Sequence, residues 1–68
     1  MPWHPETLKY LREQRGWTQA ELASKAQIHL VTVSKLEAGM RGPSLEMAER
    51  LALALRVPIT ALLKKPRR

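Results

Sequence analysis

The sequence contains no cysteine, which rules out a disulfide framework and a cysteine-based zinc site. Its two histidines, His4 and His29, cannot enclose a metal ion by themselves. The longest uninterrupted apolar run falls far short of the roughly 20 residues a membrane-spanning helix needs. The N-terminus also lacks the charged-then-apolar pattern of a secretion signal. Nucleophile–base pairs, carboxylate dyads and glycine-rich phosphate loops are missing, and 68 residues leave little interior for a pocket. An enzyme is therefore disfavoured. The expectation is one small cytosolic module held together by apolar packing, with no cofactor, metal or membrane contact.

Twelve Lys and Arg against six acidic residues give a formal charge of +6, and such an excess invites a nucleic-acid reading, because cations that neutralise phosphates supply most non-specific DNA affinity. The distribution weakens that inference. Residues 1–16 carry a net +1, whereas 17–38 and 39–55 are each neutral. The remaining +5 resides in Arg56, Lys64, Lys65, Arg67 and Arg68. A basic end of this kind is ordinarily a solvated surface, so residue pattern has to locate the function.

The pattern is helical throughout. Pro5 suits a first helical turn, where its missing N–H is not needed, and Leu8, Leu11 and Arg12 then share a face, so helix one is expected over Pro5 to Arg15. Gly16 follows where a left-handed residue is needed, and Thr18 with Glu21 forms a capping box. Helix two should run from Gln19 to Lys25 or Ala26, with Leu22 and Ala26 inward and small Ala23 permitting close approach. Residues 27–29 read as a turn. Val33 and Leu36 define the buried face of helix three, Leu30 to Ala38, and Gly39 ends it. Ser44 caps helix four, whose expected inward stripe is Leu45, Ala48, Leu51, Ala52 and Leu55. Val57-Pro58 breaks the pattern, and Thr60 is the expected cap of a last short helix reaching Leu63 or Lys64. The division is thus an extension over 1–4, a domain over 5–64 and a basic tail over 65–68.

Helices two and three, joined by a short turn and crossing at a small residue, have the spacing of the unit that sets its second helix in the DNA major groove. The sequence here also resembles a known family. Leu11-Arg12, Gly16-Trp17-Thr18-Gln19, Glu21-Leu22-Ala23, Ile28 through Glu37-Ala38-Gly39, Pro43-Ser44-Leu45, Leu51 to Leu55 and Val57-Pro58 are similar to the phage-repressor-like helix-turn-helix domains of the lambda repressor and Cro type, also called the xenobiotic-response-element type. The resemblance covers about Leu8 to Leu63. It implies an all-α fold of five helices with helices two and three as the reading unit. It also implies sequence-specific binding of double-stranded DNA by a small bacterial or phage transcriptional regulator, repressor-like, acting as a homodimer on a two-fold-symmetric site.

Carried over residue by residue, the resemblance places His29, Leu30, Val31, Ser34 and Lys35 toward base edges. Thr18, Gln19, Met40, Arg41 and Ser44 fall where the family meets phosphates, Gln19 also bracing the start of helix three. Along 40–44, main-chain N–H groups and the start of helix four would face an anion, with Arg41 free to follow the phosphates or enter the minor groove. Arg12 and Glu37 match a partly buried, structural salt bridge. Three departures stand out. Gln27 replaces the usual turn glycine, Trp17 replaces an aliphatic residue and reads as a large core plug, and His29 replaces a small capping residue. Trp3 and Tyr10 would cover helix one.

The base-facing set is chemically mixed. Lys35 and Ser34 can hydrogen-bond a base or a phosphate, but Leu30 and Val31 offer only contact such as that with a thymine methyl. They face DNA, fill the core beside Ile28, or meet another protein. The last option keeps open a second class of function, an antitoxin-like or adaptor-like module that grips a toxin or regulator through the same fold.

Overall fold

A computed structural model of the chain describes residues 3–65. Among these, four α-helices and a closing 3-10 helix occur and no strand: α1 (Pro5–Gln14), α2 (Gln19–Ala26), α3 (Leu30–Glu37), α4 (Leu45–Leu55) and the 3-10 segment Ile59–Leu63. The expected elements are therefore present, with the fifth wound as 3-10 rather than α. Pro66, Arg67 and Arg68, most of the basic tail, lie outside the described residues. No described helix is long and apolar enough to cross a membrane.

Two of the helix starts follow from local side-chain hydrogen bonds. The Glu21 N–H donates to Thr18 Oγ1 at 3.1 Å and the Thr18 N–H donates to Glu21 Oε1 at 2.8 Å, the reciprocal capping box. At α4 the Met47 N–H donates to Ser44 Oγ at 3.1 Å. α1 and α3 begin without a side-chain cap, behind His4 and His29; Pro5 at the start of α1 has no N–H to satisfy. Thr60 does not cap the last helix. That segment starts two residues earlier, at Ile59 behind Pro58, and Thr60 is exposed within it.

All four α-helices end alike. A left-handed residue stands at Gly16, Gln27, Gly39 and Arg56. The residue after each sends its N–H back into the helix: Trp17 to the Arg12 carbonyl, Ile28 to Ala23, Met40 to Lys35 and Val57 to Ala52. Glycine adopts this backbone without a Cβ clash, so Gly16 and Gly39 announce their ends. Gln27 and Arg56, at φ 57° and 58°, do so against a steric penalty of about 1–2 kcal/mol. Both are retained because the next residue, Ile28 or Val57, packs on the core.

The core joins Leu8, Leu22, Val33, Leu36, Leu51, Leu55 and Leu62, all fully buried, with Ala23, Ala26, Ala48 and Ala52 at the close crossings. α2 packs on α3 and α4, α1 on α3, and the 3-10 segment closes over α4 and α1. Two side chains sew the chain ends to this frame. Buried Thr7 donates to the Lys64 carbonyl, and Arg15 donates to the carbonyl of Leu55 at the end of α4. Trp3, Leu11 and Trp17 pack around the core, and Tyr10 is half-buried. Leu45 departs from the expected stripe: it is 64% exposed. As the first residue of α4 it precedes the turn that meets the core, so Ala48 is the first inward position.

Candidate nucleic-acid interface

The position of α3 is set by one connected set of polar side chains. Arg12 on α1 donates from Nε to Glu37 Oε2 at 2.7 Å, from Nη2 to Glu37 Oε1 at 3.0 Å and from Nη1 to the Trp17 carbonyl at 2.7 Å. The side chains of Arg12 and Glu37 are only 11% and 4% exposed. The Arg12–Glu37 pairing expected from sequence is thus formed and bidentate, the strongest geometry for these groups. Hydrogen bonding to Glu37 raises the Arg12 pKa above its ordinary value, against the opposing effect of burial.

Gln19, the first residue of α2, extends the set. Its Nε2 donates to Glu37 Oε1 at 3.1 Å, and its Oε1 accepts from Ser34 Oγ at 2.9 Å. The bracing role expected of Gln19 is real but falls on the middle and end of α3 instead of its start. The residues involved lie 15 and 18 positions apart in the chain, and no sequence signal joins them. The second N–H of the Gln19 amide keeps its capacity to donate.

With Val33 and Leu36 pinned in the core, the opposite face of α3 is turned out. Leu30 is 47% and Val31 63% exposed, so neither fills the core beside Ile28, which packs there itself. His29 and Lys35 are exposed, and Ser34 is half-buried with its hydroxyl hydrogen committed to Gln19. His29 precedes α3 without making a cap hydrogen bond. On the loop between α3 and α4, Met40, Arg41 and Ser44 are exposed, as is Thr18 ahead of α2. The Thr18 and Ser44 hydroxyls already accept cap bonds, which leaves each a hydrogen to donate. Trp17 is half-buried against the core, and the Lys25 ammonium lies 4.9 Å from its ring centroid, so the expected plug also carries a cation on one face. Among the described residues no group of His, Cys, Asp or Glu could hold a metal ion.

The arrangement presents one narrow helix, braced from behind, between two exposed helix starts. Its surroundings can meet an elongated anion while its own face meets whatever lies between the anionic walls. Comparison with known proteins gives the same shape. The family model described as helix-turn-helix matches residues 8–62. The chain is 30% identical over 60 residues to the HTH-type transcriptional regulator SutR of Escherichia coli K12, covering 88% of this chain and 34% of that protein. It is 37% identical over 59 residues to the HTH-type transcriptional regulator DdrOP3 of Deinococcus deserti, covering 87% and 46%. The chain therefore spans less than half the length of these curated relatives. Among solved structures it is similar to the restriction-modification controller protein C.AhdI of Aeromonas hydrophila, with TM-score 0.83 and 31% identity over 85% of this chain and 88% of that one. It also matches the N-terminal DNA-binding domain of SinR from Bacillus subtilis, with TM-score 0.85 and 26% identity over 94% of each chain.

Proposed function

The chain belongs to the helix-turn-helix family, and on that footing we propose that it binds double-stranded DNA sequence-specifically as a small cytoplasmic transcriptional regulator, with α3 in the major groove. The observation that carries this reading is the braced α3, whose exposed face is aimed outward by Arg12, Glu37, Gln19 and Ser34. His29, Leu30, Val31, Ser34 and Lys35 meet the bases. Thr18, Gln19, Met40, Arg41 and Ser44 meet phosphates through hydroxyl, amide, main-chain N–H and guanidinium groups. Ser34, its hydrogen engaged by Gln19, accepts from a base amino group. Leu30 and Val31 pack on thymine methyls, and Lys35 donates to guanine or phosphate. A homodimer on two half-sites about one helical turn apart doubles these few contacts.

Selection from a random duplex pool tests the reading. It should return a short two-fold-symmetric motif whose affinity falls steeply with salt. If no duplex is enriched at moderate salt, the reading fails. The exposure of Leu30 and Val31 supports one second reading, a protein-contact module. Its mark is a co-purifying protein that Leu30→Glu releases while the fold melts unchanged.

A further inference from the structure

The cations of this protein are concentrated away from the proposed reading helix. Of the twelve Lys and Arg, Arg67 and Arg68 fall outside the described residues. Four of the other ten, Arg15, Lys25, Arg50 and Arg56, line a single groove of about 600 Å³ at the ends of α1, α2 and α4. No carboxylate lines it. The groove meets α2 at residues 25–27, about 10 Å along the helix from Gln19 at 1.5 Å per residue. Trp17, Ala26 and Ala54 give it an apolar floor, and Leu53, 80% exposed, forms an apolar rim.

Part of this charge serves the fold. Arg15 donates to the Leu55 carbonyl and Arg50 to the Gln27 carbonyl at 3.2 Å, each satisfying a helix end. Arg50 also pairs with exposed Glu46 at 2.8 Å. Among the described residues Arg15, Lys25 and Arg56 have no carboxylate within ion-pair distance. The backbone bonds that anchor Arg15 and Arg50 hold guanidinium groups at the groove while leaving other N–H donors outward, so less side-chain freedom is lost on binding. Tryptophan and arginine are residue types that dominate protein–protein contacts, and here they stand beside an exposed leucine. A phosphate backbone would have no use for Trp17 and Leu53.

We propose that this groove docks an acidic segment of a partner protein, its carboxylates received by Arg15, Lys25, Arg50 and Arg56 and a large apolar side chain set against Trp17 and Leu53. None of the residues lining the groove is among the proposed DNA contacts, so the protein can hold both partners at once. The probe is a phage-displayed library of random dodecapeptides panned against the chain, with isolated peptides then titrated by fluorescence polarisation and amide NMR. Acidic peptides bearing a large apolar residue should be enriched, shifting Trp17, Gln27 and Leu53. Replacing their carboxylates by amides should weaken binding about tenfold, the ratio equivalent to 1.4 kcal/mol. The Lys25→Gln/Arg56→Gln double variant removes no backbone hydrogen bond by a side chain, so its melting curve should shift by no more than the few degrees that loss of the Lys25–Trp17 contact gives, while it loses about fivefold in peptide affinity, as two exposed pairs near the middle of their usual range would give. Enrichment of neutral peptides, or shifts confined to α3, overturns the proposal. So does a fall in duplex affinity and salt slope in the double variant, which would make the groove a DNA surface. The peptide measurements do not depend on DNA binding, so the two readings fail separately.

Discussion

Replacing Glu37 by alanine is the sharpest test of how α3 is held. The Glu37 carboxylate accepts from Arg12 Nε, Arg12 Nη2 and Gln19 Nε2. Its removal leaves Arg12 with the Trp17 carbonyl as partner, and strands a guanidinium that is 11% exposed. That burial allows little water to compensate, so the loss belongs with broken buried ion pairs at about 3–5 kcal/mol. For a domain of this size each kcal/mol moves the melting temperature by about 4–8 °C. The expected fall is therefore roughly 12–40 °C, enough to unfold a marginal domain near physiological temperature. Thermal melts followed by far-ultraviolet circular dichroism measure it. Arg12→Met combined with Glu37→Leu removes both charges and should recover much of the loss, because no buried charge is left unpaired. A Glu37→Ala melt within a few degrees of the parent, or a double variant no more stable than the single one, would refute the account.

Three other outcomes follow from separate features. Gln27→Gly should raise stability by about 0.5–1 kcal/mol in the same melts, since relief of the left-handed strain exceeds the entropy glycine returns to the unfolded chain; a lower melting temperature would show that the Gln27 side chain matters more than its backbone. Leu45→Glu should change stability by about 0.5 kcal/mol or less while Leu51→Ala costs about 2–5 kcal/mol by urea denaturation, whereas a stripe including Leu45 would make both costly. Lys35→Ala should leave the fold unchanged and weaken duplex binding by about 1–3 kcal/mol with relaxed specificity at one base pair if Lys35 reads guanine. If Lys35 instead meets a phosphate, the salt slope should fall by about 1 at unchanged specificity.

What was legible in the sequence was what short stretches of chain settle. The Thr18–Glu21 box, the Ser44 cap, Gly16 and Gly39 mark helix ends because their hydrogen bonds and φ requirements close within a few residues. Apolar spacing identified Leu8, Leu22, Val33, Leu36, Leu51 and Leu55 as core for the same reason. The Arg12–Glu37 pair is a long-range contact, and only a resemblance to other helix-turn-helix domains made it foreseeable. The left-handed ends at Gln27 and Arg56 carried a fainter mark, the apolar residue that follows each, because there the packing of Ile28 and Val57 outweighs backbone preference.

The rest required the tertiary structure. Leu45 satisfies the helical period yet points to solvent, since periodicity fixes a face and not where along the helix the neighbouring core begins. Leu30 and Val31 were indistinguishable from core until Ile28 was seen to take that place. The engagement of Ser34 by Gln19, the closure of Thr7 on Lys64 and the gathering of Arg15, Lys25, Arg50 and Arg56 around Trp17 join residues far apart in the chain. Helices one, two and four are each locally determined, but their ends converge only through packing, and packing alone turns scattered charges into a basic groove.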